Sequence, residues 1–281
     1  MTDTLQLPRP TWFAGCGNMG GAIIDGWRVA GVDLGAITVI RPSGKPVEGA
    51  RTVTSFADAG APPKLLVLAF KPQKLDEIAP ELRRYLSANT IVVSLLAGVE
   101  TASLRERFPG AAAIVRATPN LPVAIRRGVT GLYTSDASDA ARDEIGNIFT
   151  ALGFAMWMVD EARLGALGAV AGAGPAYVAR FIAALTKAGE KRGLSPEIAE
   201  VIARETVLGT AWMSATANES MDSIARRVAS PNGTTEAGLA VLDREQALDD
   251  LVAATIEASA RRGSELALEA RAPLAESTRL H

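Results

Sequence analysis

The chain has 281 residues, 48% of them apolar, and a formal net charge of −2 with a pI near 5.7. That length allows one large domain or two ordinary ones, and the near-neutral charge without a basic run argues against a polyanion-binding surface. One cysteine, Cys16, excludes a disulfide framework and a cysteine-based zinc cage, and the one histidine, His281, ends the sequence, so no histidine-ligated metal or catalytic histidine is expected.

The chain opens without a basic stretch leading into an apolar segment, and no apolar run of about 18 residues lacks charges. A soluble, cytoplasmic protein is expected, with no membrane, nucleic-acid or metal partner. Residues 1–9 and 271–281 read as fraying ends.

The first strand is expected at Trp12–Ala14. It runs into GCGNMGGA, Gly15 to Ala22, and helical spacing over Gly20–Val29. Gly15, Gly17 and Gly20 complete a G-x-G-x-x-G pattern. The first glycine permits a tight turn, the second lets the backbone approach a pyrophosphate, and the third lets helix and strand pack closely. Helix-start N–H groups, around Asn18 and Met19, would face the anion. The strand before and the helix after favour a nicotinamide or flavin nucleotide over a plain glycine-rich turn.

The second strand, Ile37–Ile40, ends at Arg41, about twenty residues beyond the glycines, where a NAD site commonly places an acidic residue. Arg41 and Lys45 suit a 2′-phosphate and Ser43 offers a hydroxyl, so NADP(H) is favoured over NAD(H). A solvated loop with incidental cations is the alternative. Further strands are expected at Leu65–Phe70, Ile91–Leu96, Ala112–Ala117, Val129–Tyr133 and Phe154–Val159, with helices over about Lys74–Leu86 and Ala137–Leu152. Apolar strands alternating with helices indicate a mostly parallel sheet covered on both faces.

Three strand ends carry candidate ligand-facing groups, because ligands bind at the carboxyl edge of such sheets. Lys71 follows one strand, the small Ala97 and Gly98 follow another, and Asn120 follows a third. Each reads equally as an ordinary strand end or turn.

Beyond Asp160 the strand signals stop. Helical segments are expected over Glu161–Arg192, Pro196–Thr216, Met221–Val228, Thr235–Leu242 and Glu245–Ala270. The domains are thus expected at 1–160 and 161–281. Apolar residues around much of the helical circumference fit a subunit interface better than a monomeric bundle core, so a homodimer or larger is expected. The loop Ser230–Thr235 enters a helix. The amides of Asn232, Gly233, Thr234 and Thr235 suit a carboxylate, or simply an N-cap.

In chain order, GCGNMGGA, AFKPQ (Ala69–Gln73), SLLAGV (Ser94–Val99), VRATPNLPVAIRRGVT (Val115–Thr130), GAGPAYV (Gly172–Val178) and ASPNGTTEAGLAVL (Ala229–Leu242) resemble pyrroline-5-carboxylate reductase over about Thr11 to Leu268. The resemblance implies a Rossmann-like N-terminal domain, an all-α dimerisation domain, and NADPH-dependent reduction of a cyclic imine carboxylate to proline. It implies that the Ala69–Lys71 backbone lies along the cofactor, that the 230–235 loop binds the substrate carboxylate, and that Thr235 lies near the imine nitrogen. A protonated imine accepts hydride without a strong general acid, in keeping with the absent internal histidine. Leu121, Leu164 and Ala173 stand where that family commonly has Thr, Asp and Ser, which implies a less polar pocket. The alternatives are a reductase of another cyclic imine and a non-catalytic NADPH-binding protein. A β-hydroxyacid dehydrogenase would need a G-x-x-x-K-x-x-x-N helix, and Lys187 and Lys191 come too late for that.

Overall fold

A computed structural model describes residues 5–217 and 219–271. The fraying expected at residues 1–4 and 272–281 lies outside the described residues. Residues 5–9 are not frayed: Leu7 is buried in the core.

The eight strands are β1 (Thr11–Ala14), β2 (Ile37–Ile40), β3 (Arg51–Val53), β4 (Leu65–Leu68), β5 (Ile91–Ser94), β6 (Ala113–Pro119), β7 (Gly128–Tyr133) and β8 (Gly153–Trp157). They form one sheet in the order β3-β2-β1-β4-β5-β6-β7-β8. All neighbours are parallel except β6 and β7. Strand order reverses between β1 and β4, which opens a crevice at their carboxyl ends.

Alternation along the strands splits the core into two layers. On one face Phe13, Val39, Val67 and Val93 pack with Ile23, Ile24 and Trp27 of α1 (Asn18–Val29) and Ile145, Ile148 and Phe149 of α4 (Asp139–Thr150). On the other, Trp12, Leu66, Leu68 and Val92 pack with Leu75, Ala79 and Leu82 of α2 (Leu75–Leu82) and Leu104 of α3 (Thr101–Arg107). Trp27 Nε1 donates to the Ile148 carbonyl at 2.8 Å, joining the two helices on its face.

Three local expectations change. The helix expected over Lys74–Leu86 narrows to α2, flanked by 3₁₀ turns at Pro72–Lys74 and Arg83–Tyr85. Helix α3 and strand β3 are additional to the sequence reading. The single helix expected over Glu161–Arg192 is interrupted: α5 (Glu161–Leu167) passes into a π turn at Gly168–Gly172, and α6 (Gly174–Lys191) follows. The small residues of GAVAGAG tolerate the wider turn, and the Asn120 amide takes the Ala171 carbonyl at 3.0 Å.

The described residues divide into two compact units, 5–173 with 259–271, and 174–217 with 219–258. In the first, α5 and the π turn lie against β7 and β6. Leu164 is 1% exposed, and a Cβ on Gly131 of β7 would lie 2.8 Å from its Cδ1. Leu164, one of the departures from the family pattern, therefore fills the core between α5 and β7.

The second unit holds α6, α7 (Pro196–Thr216), α8 (Met221–Val228), α9 (Thr234–Leu242) and the first part of α10 (Ala247–Arg271). Ser195 caps α7, its hydroxyl accepting from the Ile198 amide. Among the described residues α6 buries no side chain and α7 buries only Ala199 and Ala203, while Phe181, Ile202, Leu208 and Trp212 are about half exposed. By length and composition alone the 31-residue stretch Glu161–Lys191 holds an 18-residue window, mean hydropathy 1.3, apolar enough to cross a bilayer.

Candidate cofactor and substrate sites

A cavity of about 520 Å³ lies at the carboxyl ends of β1, β2, β4 and β5. Its first wall is the turn after β1, where Gly15, Gly17, Asn18, Met19 and Gly20 all line it. The three glycines serve distinct ends. Gly15 has φ +81°, and a Cβ there would lie 2.8 Å from the Ala69 carbonyl oxygen. A Cβ on Gly20 would lie 3.2 Å from Ala69 Cβ, so the helix rides close on β4. A Cβ on Gly17 would meet nothing within 4 Å, which leaves that backbone bare toward the cavity. Gly17 is also the N-cap of α1 and supplies no side-chain cap, so the first N–H groups of the helix keep their donor capacity.

The second wall follows β2. Arg41 and Ser43 line the cavity, and the Arg41 Nε donates to the Ser43 hydroxyl at 3.0 Å. The Lys45 amide reaches the same hydroxyl at 3.4 Å, but Lys45 itself does not line the cavity. Among the described residues, none lining the cavity is acidic. A bare glycine turn, a helix N-terminus and an arginine fit a phosphorylated dinucleotide. Cys16 lines the cavity too. Burial pushes its thiol up from the ordinary value, partly offset by the Arg41 cation.

The third wall comes from the ends of β4 and β5. Ala69 and Lys71 line the cavity, with the Ala69 amide held on the Ala14 carbonyl at 2.8 Å. Ala97 lines it beyond β5; Gly98 does not. Gly98 has φ +76°, and a Cβ there would lie 2.7 Å from the Ala267 amide nitrogen of α10. Asn120 does not line the cavity. Its Oδ1 accepts from the Val129 amide at 2.8 Å and its Nδ2 donates to Ala171, so both amide ends join β6, β7 and the π turn. Pro42, Pro72 and Leu95 are lining residues additional to the sequence reading, and Phe70 falls within the Ala69–Lys71 stretch it named. Their place at strand ends is the signal that identifies them.

The 230–235 loop lies in the second compact unit. Asn232 has φ +56°, and its amide donates to Glu236 Oε2 at 2.6 Å. The Gly233 amide donates to the Ser230 carbonyl at 2.9 Å. Two of the four amides assigned to a carboxylate are therefore engaged inside the loop. Those of Thr234 and Thr235, in the first turn of α9, have no acceptor within their helix. Glu236 holds the loop in shape as a capping-box glutamate does.

Known proteins resemble about nine-tenths of the chain. Residues 161–266 match the family model described as pyrroline-5-carboxylate reductase dimerisation, and residues 12–98 match that described as NADP oxidoreductase, coenzyme F420-dependent. A pyrroline-5-carboxylate reductase of Pseudomonas aeruginosa is 36% identical over 91% of this chain and 96% of its own length. One of a Synechocystis species is 38% identical over 72% of this chain and 75% of its own. The solved pyrroline-5-carboxylate reductase of Coxiella burnetii superposes with a TM-score of 0.84 at 31% identity, covering 92% of this chain and 98% of that one. With a mostly parallel sheet, a glycine turn at its reversal point and a helical C-terminal region, the chain belongs to the pyrroline-5-carboxylate reductase family.

Proposed function

We propose that this protein reduces 1-pyrroline-5-carboxylate to L-proline with NADPH. The observation that carries the reading is the cavity at the β1–β4 reversal point, with bare backbone at Gly17 and a cationic wall at Arg41. When bound, the reduced nicotinamide supplies hydride from its C4. The turn from Gly15 to Gly20 receives the pyrophosphate, and Arg41 with Ser43 receives the 2′-phosphate, with Lys45 adding positive charge nearby. The Ala69–Lys71 backbone and Ala97 flank the nicotinamide half, while Gly98 turns the loop against α10. Preference for NADPH over NADH follows from the cation at Arg41 and the absence of a carboxylate among the lining residues.

The first-turn amides of α9, at Thr234 and Thr235, bind the substrate carboxylate, with Asn232 and Gly233 shaping the loop. The Thr235 hydroxyl orients the ring nitrogen, and the proton comes from solvent. Catalysis is chiefly positioning. Residues 1–160 serve as the cofactor domain and 161–281 as the dimerisation and substrate domain of a homodimer or larger assembly in the cytoplasm. The apolar stretch 161–191 then meets another helix and not lipid.

The test is loss of nicotinamide absorbance on adding synthetic pyrroline-5-carboxylate, with NADPH and NADH run side by side. Proline should accumulate, faster with NADPH. Preferred turnover of a piperideine-carboxylate would transfer the reading to a larger cyclic imine. Tight NADPH binding without oxidation on any imine would overturn it.

A further inference from the structure

Glu161 is the first residue of α5, and its carboxylate reaches back to the cofactor side of the sheet. Its Oε1 accepts from the Thr101 amide at 2.9 Å and from the Arg116 guanidinium at 2.9 Å. The ion pair is sheltered, with the Arg116 side chain 12% exposed and that of Glu161 24%. Thr101 opens α3 and is itself buried. Between the end of β5 at Ser94 and Thr101 runs the loop that gives the cavity Leu95 and Ala97. The same loop is backed at Gly98 by the α10 backbone at Leu266 and Ala267. It is thus gripped at two points, by the beginning and the end of the helical region.

We propose that Glu161 is a positioning residue for the nicotinamide half of the cofactor pocket: it fixes the 95–100 loop through the Thr101 amide and is itself fixed by Arg116. The inference rests on the NADPH reading above. Removing the carboxylate leaves a sheltered N–H and a sheltered guanidinium without their acceptor, so the loop samples other conformations. The glycine turn and Arg41 lie on other strand ends and keep their grip on the adenosine half.

That asymmetry gives the test. NADPH and 2′-phospho-ADP-ribose, which lacks nicotinamide, are titrated against the full-length parent and Glu161→Ala. NADPH affinity should fall about tenfold, while the fragment binds within about twofold of the parent. Glu161→Gln retains an acceptor for Thr101 and should recover most of the affinity. Thr101→Pro is the second variant: it deletes the donor N–H, replacing the buried threonine side chain with the proline ring, at a first helical position that tolerates proline and after an extended Glu100 (φ −80°, ψ 158°). It should reproduce the selective loss, and it keeps the question answerable if the alanine variant does not fold. Amide exchange across 97–100 should quicken in both. Equal loss of NADPH and fragment, or no loss of either in a folded variant, overturns the positioning role alone. A parent that binds neither ligand overturns the cofactor reading and this inference with it.

Discussion

Gly15 and Ala69 meet across the carboxyl ends of β1 and β4, so closely that a Cβ on Gly15 would sit 2.8 Å from the Ala69 carbonyl oxygen. The crowding atom is backbone and Gly15 has φ +81°, so neither side yields cheaply. Gly15→Ala should cost about 2–4 kcal/mol of stability from the left-handed conformation and overpacking together. Thermal unfolding measures it; a melting temperature equal to the parent's would refute the stated geometry.

Gly17 tests the opposite case. With nothing within 4 Å of its built Cβ and φ −86°, alanine fits the folded chain at a cost below about 1 kcal/mol. The methyl group would intrude on the space that the pyrophosphate takes in the proposed complex. NADPH affinity should fall at least about tenfold while the melting temperature barely moves. Undiminished binding would place the phosphates elsewhere.

Arg41→Asp puts a carboxylate where the 2′-phosphate is proposed. The KM for NADPH should rise about tenfold or more, with the KM for NADH unchanged or lower. Steady-state kinetics with both nucleotides decide the matter, and parallel changes in the two KM values would remove Arg41 from cofactor choice.

Cys16 should behave as a sluggish thiol at neutral pH. Burial raises its pKa above the ordinary 9.0, against a smaller lowering by Arg41. The thiolate is the reacting form, so alkylation by iodoacetamide should be slow near pH 7 and climb only as pH rises past the ordinary thiol range. NADPH should protect it. A rate profile with its midpoint below the ordinary value would contradict the burial argument.

Thr235→Ala should lower kcat about tenfold and leave NADPH affinity at the parental value, because the hydroxyl is assigned to substrate alone. Glu236→Ala releases the Asn232 amide and should raise the KM for the imine carboxylate several-fold with less effect on kcat. If both variants match the parent, the α9 loop is not the substrate site.

The part of the site that was legible from sequence is the part set by local geometry. Gly15, Gly17 and Gly20 each meet a backbone requirement of one turn, and Arg41, Ala69, Lys71 and Ala97 follow from the strand ends on which they sit. The less legible features depend on partners distant in sequence. Glu161 lies 45 residues from Arg116 and 60 from Thr101, and nothing around it signals either. Asn120 reads as a free turn amide until β7 and the π turn engage both of its ends. Strand β3, three residues long at the sheet edge, and α3, seven residues long, are too short to give a clear period.

Helix α6, with no buried side chain among its described residues, has a consequence for how the protein is handled. In the homodimer proposed above a second copy completes this packing, so the apparent melting temperature will climb with protein concentration and refolding will slow on dilution as a second-order process. A preparation kept too dilute will fall apart through its helices first.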